Sequence, residues 1–433
     1  MINSKIKILS DQLLDSLTKE KLTELEELYD SINSKIIALP DIHHKKADPF
    51  PTGIVFHSDK IILSLLQAPN CGMSLLKANF SDNSIESYGA LFKKLEKIIP
   101  KTSTVLKLSK KDLQEIICTG ADWALKNLDF EEGEINAIEK QGNFFKNLSY
   151  TPREILDSIP PIVFNSLKKD LGTIGGGNHF LELQKVIKIH NEKGARAFNL
   201  KLNDTLFMLH TDSRRFGGLF SSIYSNAFKR SFLSKLKIGL YQLYFFKKIF
   251  FNRKYLDINS KLGRKLLIAN NAAMNVGYVN RLLIIHSLKK IFKGDIKLIS
   301  DLSHSSQQVE NNNLSYRIGA TRSTPGTLLM VPGSMGTSSF ICRSTGSKEN
   351  LFSANHGTGR GYFKEEIPKK FSEKQLVSFM HQKKIRVFRC GNDNLLEQIP
   401  LSFKDSRLVL NEMVKYKIAE PIVETFPLAV LKG

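Results

Sequence analysis

Apolar residues early in the chain recur at steps of mostly three and four, at Leu13, Leu14, Leu17, Leu22, Leu25, Leu28, Ile32 and Ile36. That is the spacing of amphipathic helices and predicts a helical segment over residues 1–38. From Asp41 the pattern breaks into DIHHKKADPFPTG, a loop signal with two prolines and two adjacent histidines; the short apolar runs Ile54–Phe56 and Ile61–Leu66 beyond it predict flanking strands. Helical periodicity returns between Ser84 and Asp129, with one helix predicted over Lys110–Asn127. Leu206–Leu209 and Ile296–Ile299 are mainly apolar runs followed by His210 and His304, so each reads as a strand presenting an imidazole near its end. In TIGGGNHFLE, Gly175 to Gly177 stand before Asn178 and His179, where the backbone must do something that side chains would obstruct.

Ser213 to Lys265 mixes Lys and Arg with Phe and Tyr, as in KRSFLSKLKIGLYQLYFFKKIFFNRKY. It predicts a basic amphipathic helical hairpin packed on the body, an insertion over 219–265, with an RNA-contacting lobe as the alternative. No repeat or Pro/Ser-rich linker marks a domain boundary within 1–433.

Hydrophobic residues at 42% and charged residues at 24% are globular proportions and exclude a disordered, collagen-like or coiled-coil chain. The 63 Lys plus Arg exceed the 42 Asp plus Glu, for a formal net charge of +21. That raises the expectation of a polyanionic partner, because neutralising phosphates releases condensed counterions. The most apolar stretch, Ile238 to Phe251, is interrupted by Lys247 and Lys248, too short a run for a membrane span. The opening MINSKIKILSDQLLDSL is charged where a signal peptide is apolar, so a cytoplasmic protein without a membrane partner is expected. Cys71, Cys118, Cys342 and Cys390 form no CxxC pair, which fits a reducing compartment.

Four of the ten histidines sit in similar settings: GGGNHFLE, MLHTDSRRFGG, DLSHSSQQ and SANHGTGR, carrying His179, His210, His304 and His356. Small neighbours let the backbone approach a metal or phosphate. Imidazoles with a thiolate suit Zn, Mn, Fe or Co, and Cys71 in APNCGMSL has the tight-loop neighbours such a ligand needs. His57, His190, His286 and His381 read as structural or surface residues. Gly175–Gly177, PGSMGTSS at Pro332–Ser339 and HGTGR at His356–Arg360 are candidate phosphate cradles.

Taken in order, these blocks carry a resemblance. LPDIHH (39–44), NCGMSL (70–75), GTIGGGNHFLEL (172–183), LHTDSRRFGG (209–218), NVGYVNR (275–281), DLSHSS (301–306), YRIGATRSTPG (316–326), VPGSMGTSS (331–339), SANHGTGR (353–360) and the terminal LKG make the chain similar to the RtcB family of RNA ligases. The resemblance implies a large α+β fold in one main catalytic domain, with a manganese site beside a guanylate pocket. It implies GTP- and Mn²⁺-dependent joining of RNA 3'-phosphate or 2',3'-cyclic phosphate ends to 5'-hydroxyl ends through a guanylylated histidine, in RNA repair or tRNA splicing. By motif matching His356 carries the guanylate and Asp41 orients it. The resemblance further implies Cys71, His179, His210 and His304 as the metal ligands, with Cys71 placed to bridge two ions. On the same resemblance Asn178 and Glu182 would contact the nucleotide phosphates and the surroundings of the metal; Ser334, Gly336, Gly357, Gly359 and Arg360 would shape the guanylate pocket, and Lys432 would read guanine.

The chain departs from the family pattern in three places. Ala68 stands where the family has a metal-binding Asp, which weakens the case for a second ion unless His43 or His44 substitutes. Ile318 replaces a lysine, and Asp212 replaces a glycine. Alternative readings are therefore a non-ligating relative that binds RNA or nucleotide, and a metal-dependent cyclic phosphodiesterase.

Overall fold

Runs such as TLFMLHT, in which every residue is buried, are strands covered on both faces. The computed structural model describes residues 5–433 apart from 13, 45–48, 81–84, 101–105, 225–231, 247–248, 250–252, 293 and 392–393. In chain order the strands begin with β1 (Ile6–Ile8), β2 (Ser34–His43), β3 (Thr52–Ser58), β4 (Lys60–Ile62) and β5 (Gly72–Phe80). There follow β6 (Phe180–Ile189), β7 (Thr205–Thr211), β8 (Tyr255–Asp257), β9 (Gly294–Ser303), β10 (Ser305–Glu310) and β11 (Asn313–Ile318). The last are β12 (Ala320–Arg322), β13 (Leu328–Val331), β14 (Ser339–Ser344), β15 (Ser353–Asn355), β16 (Arg386–Arg389) and β17 (Ala419–Lys432).

The larger sheet has the order β13-β14-β17-β6-β7-β5-β9, with β16 added in parallel to β17. A second sheet has the order β1-β2-β3-β11-β10. Between β9 and β10 the chain passes from the larger sheet to the second across one residue, His304. With helices and sheets in one large unit the fold is α+β, as expected.

The long helix Lys261–Ile291 is buried along most of its length. Its polar residues brace loops around the site. Asn280 Oδ1 accepts from the Gly172 N–H at 2.7 Å, and Arg281, wholly buried, pairs with Asp301 at 2.7 Å and donates to Asn70 Oδ1 at 2.9 Å. A buried pair of this kind is strongly destabilising to break from one side, roughly 3 kcal/mol or more. It therefore fixes the loop that ends in Cys71.

Four elements differ from the sequence expectation. The N-terminal helix is confined to Ser16–Leu28, started by Asp15, whose side chain accepts from the Thr18 N–H. Ser34–His43 is a strand, because a segment buried on both sides has no polar face from which helix and strand periods can be told apart. The helix expected over Lys110–Asn127 is two helices, Lys110–Thr119 and Ala121–Asn127, broken at Gly120. Gly120 has φ +55°, and a Cβ there would lie 2.1 Å from the Gly142 carbonyl oxygen. Ile61–Leu66 is a strand only to Ile62 and then a 3₁₀ turn.

The stretch expected to form a basic insertion over 219–265 contains the helix Phe232–Phe246 and the end of the helix Arg214–Tyr224, while 225–231, where a hairpin would turn, lie outside the described residues. β8 follows and pairs with β4. No helix among the described residues is long and apolar enough to cross a membrane.

Candidate metal and nucleotide site

Strand register gathers the donors. Cys71 directly precedes β5, His179 directly precedes β6, His210 is the penultimate residue of β7 and His304 follows β9. These four strands are consecutive neighbours in the order β6-β7-β5-β9. His210 stands opposite both Phe180 and Met73, Gly72 stands opposite Ser303, and the His304 N–H donates to the Cys71 carbonyl at 2.8 Å. All four side chains thus arise from one end of the sheet.

Cys71 Sγ lies 3.3 Å from His210 Nε2 and 3.6 Å from His179 Nε2, and His210 Nε2 lies 2.9 Å from His304 Nε2. Lone-pair nitrogens and sulfur crowded this closely fit a shared cation better than one another. Asn178 supplies the orienting contact: its carbonyl lies 3.2 Å from His210 Nδ1, so that nitrogen carries the proton and Nε2 keeps its lone pair. Burial pushes the His179 pKa down to about 4 and those of His210 and His304 well below the ordinary histidine range, so all three are neutral near pH 7. A thiolate with neutral imidazoles is a donor set for a divalent transition metal. Among the described residues the compact donor group is Cys71, His179 and His210, with His304 joined through His210; neither His43 nor His44 belongs to it.

His43 Nδ1 instead lies 2.9 Å from the Asp41 carbonyl oxygen. Ala68 offers only a methyl group, and its carbonyl accepts from Ser305 Oγ at 3.0 Å. Asp212 forms an ion pair with Arg214 at 3.0 Å. Burial pushes its carboxyl up, but His179 and Arg214 outweigh this and hold it below the usual range.

The second half of the site is a cleft of about 790 Å³, mouth included, that His210 and His304 share with His356. Asn178, Glu182, Ser334, Gly357, Gly359, Arg360 and Lys432 also line it. Gly336 does not: it lines the adjoining groove, where a Cβ would meet the Phe379 ring at 2.3 Å. Asp41 stands behind His356, fully buried in β2, with Oδ2 2.6 Å from Nδ1 and 3.3 Å from the backbone N–H. The 2.6 Å contact is close without the alignment of a hydrogen bond. The ring of His356 is centred 4.8 Å from that of His304, so the candidate nucleophile and the donor cluster are adjacent.

The loop carrying His356 is fitted to β2 by Gly359, whose φ is +73° and whose Cβ, if present, would meet the Asp41 carbonyl oxygen at 2.2 Å. Two cations border the cleft. The Arg360 guanidinium lies 4.9 Å from the Phe403 ring centre and Lys432 Nζ 5.3 Å from that of Phe180. Burial raises the Glu182 carboxyl to about 7, so it exchanges a proton near neutrality.

Sequence reasoning missed Met73, Phe180, Pro332, Gly333, Met335, Thr358, Gln398 and Phe403 on the cleft wall. Pro332, Gly333, Met335 and Thr358 lie inside blocks already singled out, so position within the motif was the available signal; Gln398 and Phe403 had none. Ile318 is not on the cleft wall: it is 1% exposed, pairs with Ile54 and Ser305, and belongs to the main core, where an apolar residue is at home.

The family model described as tRNA-splicing ligase RtcB matches residues 22–433. Relatives carrying the name tRNA-splicing ligase RtcB include that of Nanoarchaeum equitans, 27% identical, with 98% of this chain and 94% of the relative covered. The relative from Thermococcus kodakarensis is 24% identical over 98% of this chain and 93% of its own, and that from Archaeoglobus fulgidus 27% over 84% and 80%.

Proposed function

The chain belongs to the RtcB family, and from that premise we propose that it is an RNA ligase joining 3'-phosphate or 2',3'-cyclic phosphate ends to 5'-hydroxyl ends, with GTP as co-substrate and Mn²⁺ as cofactor, in RNA repair or tRNA splicing. The observation that carries the reading is the placing of His356 between a buried carboxylate, 2.6 Å from Nδ1, and the histidine donor cluster.

With Nδ1 against Asp41, Nε2 is the nitrogen left to attack phosphorus. Its lone pair forms a P–N bond to the α-phosphorus of GTP as the bond to the bridging oxygen breaks and pyrophosphate leaves. The imidazole gains positive charge in that step, and the adjacent carboxylate stabilises it. An RNA 3'-phosphate oxygen then takes the guanylate from His356, and a 5'-hydroxyl attacks the activated 3'-phosphorus, expelling GMP. A 2',3'-cyclic end is first opened by water to the 3'-phosphate.

Cys71, His179, His210 and His304 would hold the manganese, one ion or two, which supplies charge stabilisation to phosphoryl oxygens. Arg360 and Lys432 offer cations to the nucleotide, Lys432 reading guanine. Asn178, Glu182, Ser334, Gly357 and Gly359 present polar groups and backbone to it, and Gly336 shapes the loop beside them.

The test is incubation of an RNA carrying a 3'-phosphate or a 2',3'-cyclic phosphate with one carrying a 5'-hydroxyl, with Mn²⁺ and with or without GTP. Joining that requires GTP is expected. Opening of a cyclic end without GTP and without joining would point to a phosphodiesterase instead.

A further inference from the structure

The helix Phe232–Phe246 is apolar on two faces. One is used by the fold: Ile238 is buried, Gln242 is buried with Nε2 donating to the Ile223 carbonyl at 2.9 Å, and the Phe246 ring lies 5.1 Å from that of Tyr224 on the neighbouring helix. The other face carries Leu236, Leu240 and Leu243 with Tyr241 and Tyr244, all exposed, Leu240 at 59%. Positions 236, 240 and 243 follow the helical repeat, so the leucines form one stripe. An exposed contiguous apolar stripe marks an interaction site.

Charge selects the occupant. Between Phe228 and Leu256 the sequence has eight Lys or Arg and no Asp or Glu. Leucines on a helix whose own and flanking sequence is cationic, with tyrosines beside them, are the composition of helices that lie in the interface of an anionic bilayer. RNA would answer the cations, but leucine side chains have no face on which a base stacks.

We propose that the helix Phe232–Phe246 docks flat on an anionic lipid surface through Leu236, Leu240 and Leu243. At 15 residues the helix is about 22 Å long at 1.5 Å per residue, short of the roughly 30 Å hydrocarbon core. The attachment is therefore peripheral, and it goes beyond the expectation of a protein without a membrane partner.

The test is co-sedimentation of the full chain with phosphatidylcholine vesicles with and without phosphatidylserine, beside the variant L236E/L240E/L243E. At least tenfold more protein is expected to sediment with the anionic vesicles, and the variant is expected to lose that binding while keeping the wild-type circular dichroism. Independently, Leu240→Trp should show a blue-shifted emission component on anionic vesicles only. Absence of sedimentation and of a shift would overturn the proposal. So would a stripe-dependent dimer in light scattering without vesicle binding, which would assign the face to a second copy, or a stripe-dependent RNA shift without vesicle binding, which would assign it to RNA.

Discussion

Nδ1 of His356 lies 2.6 Å from Oδ2 of Asp41, although 315 residues separate the two in the chain. The carboxylate is fully buried and the imidazole opens on the cleft. Asp41→Asn keeps the shape and removes the charge that, in the proposed reaction, would stabilise the imidazolium. Covalent guanylate formation in single-turnover labelling is expected to slow by roughly 10- to 100-fold, the usual cost of losing such a partner, with the melting temperature as control for folding.

A second expectation concerns the donor cluster. Cys71→Ala and His210→Asn each remove an atom from a group whose members lie within 3.6 Å of Cys71 Sγ or 2.9 Å of His304 Nε2. Manganese affinity, measured by equilibrium dialysis with elemental analysis, should fall at least about tenfold in each. Ala68→Asp returns a carboxylate to the loop before Cys71 and should increase the manganese bound per chain.

Lys404 ties the two halves of the dyad together. Its backbone N–H donates to the Gly359 carbonyl at 3.1 Å and its ammonium to the Ile42 carbonyl at 2.7 Å, joining the loop after His356 to the residue after Asp41. Lys404→Met should slow guanylate labelling severalfold and Lys404→Arg should recover part of the rate. Equal rates in all three proteins would show that the brace does not position the dyad.

The β10–β11 hairpin gives a pH dependence. Glu310 accepts from both Arg317 terminal nitrogens at 3.0 Å and from Arg322 Nε at 3.0 Å. Burial pushes its carboxyl up, but Arg317 outweighs that and holds it down at about 2. The folded pKa is below the ordinary value, so the stabilisation is present above about pH 4.5 and is lost as pH falls towards 2. Glu310→Gln should cost roughly 3 kcal/mol at pH 7, because it leaves the buried Arg317 unpaired, and should flatten the acid limb of a chemical-denaturation series.

Much of the candidate constellation was legible because its residues sit in short blocks whose residue types leave few roles. A histidine at the end of an apolar run reads directly as a side chain presented by a strand, and His210 and His304 occupy such positions. What could not be read was adjacency. That β6, β7, β5 and β9 lie side by side, bringing His179 and His304 to the same end, is decided by sheet order. Helix breaks were harder still: Gly120 looks like a tolerated glycine until the Gly142 carbonyl is found against it. The strand Ser34–His43 was hidden by burial on both sides. Ile318 reads from the sequence only as the replacement of a lysine, and the structure makes it a core residue.

The most direct measurement is incubation of the purified chain with Mn²⁺ and α-labelled GTP, followed by denaturing electrophoresis, with His356→Ala alongside. Covalent label on the wild-type chain and none on the variant is the expected result. A folded, manganese-loaded wild-type chain that takes no label, or a variant that labels equally, would contradict the assignment of His356 as the nucleophile.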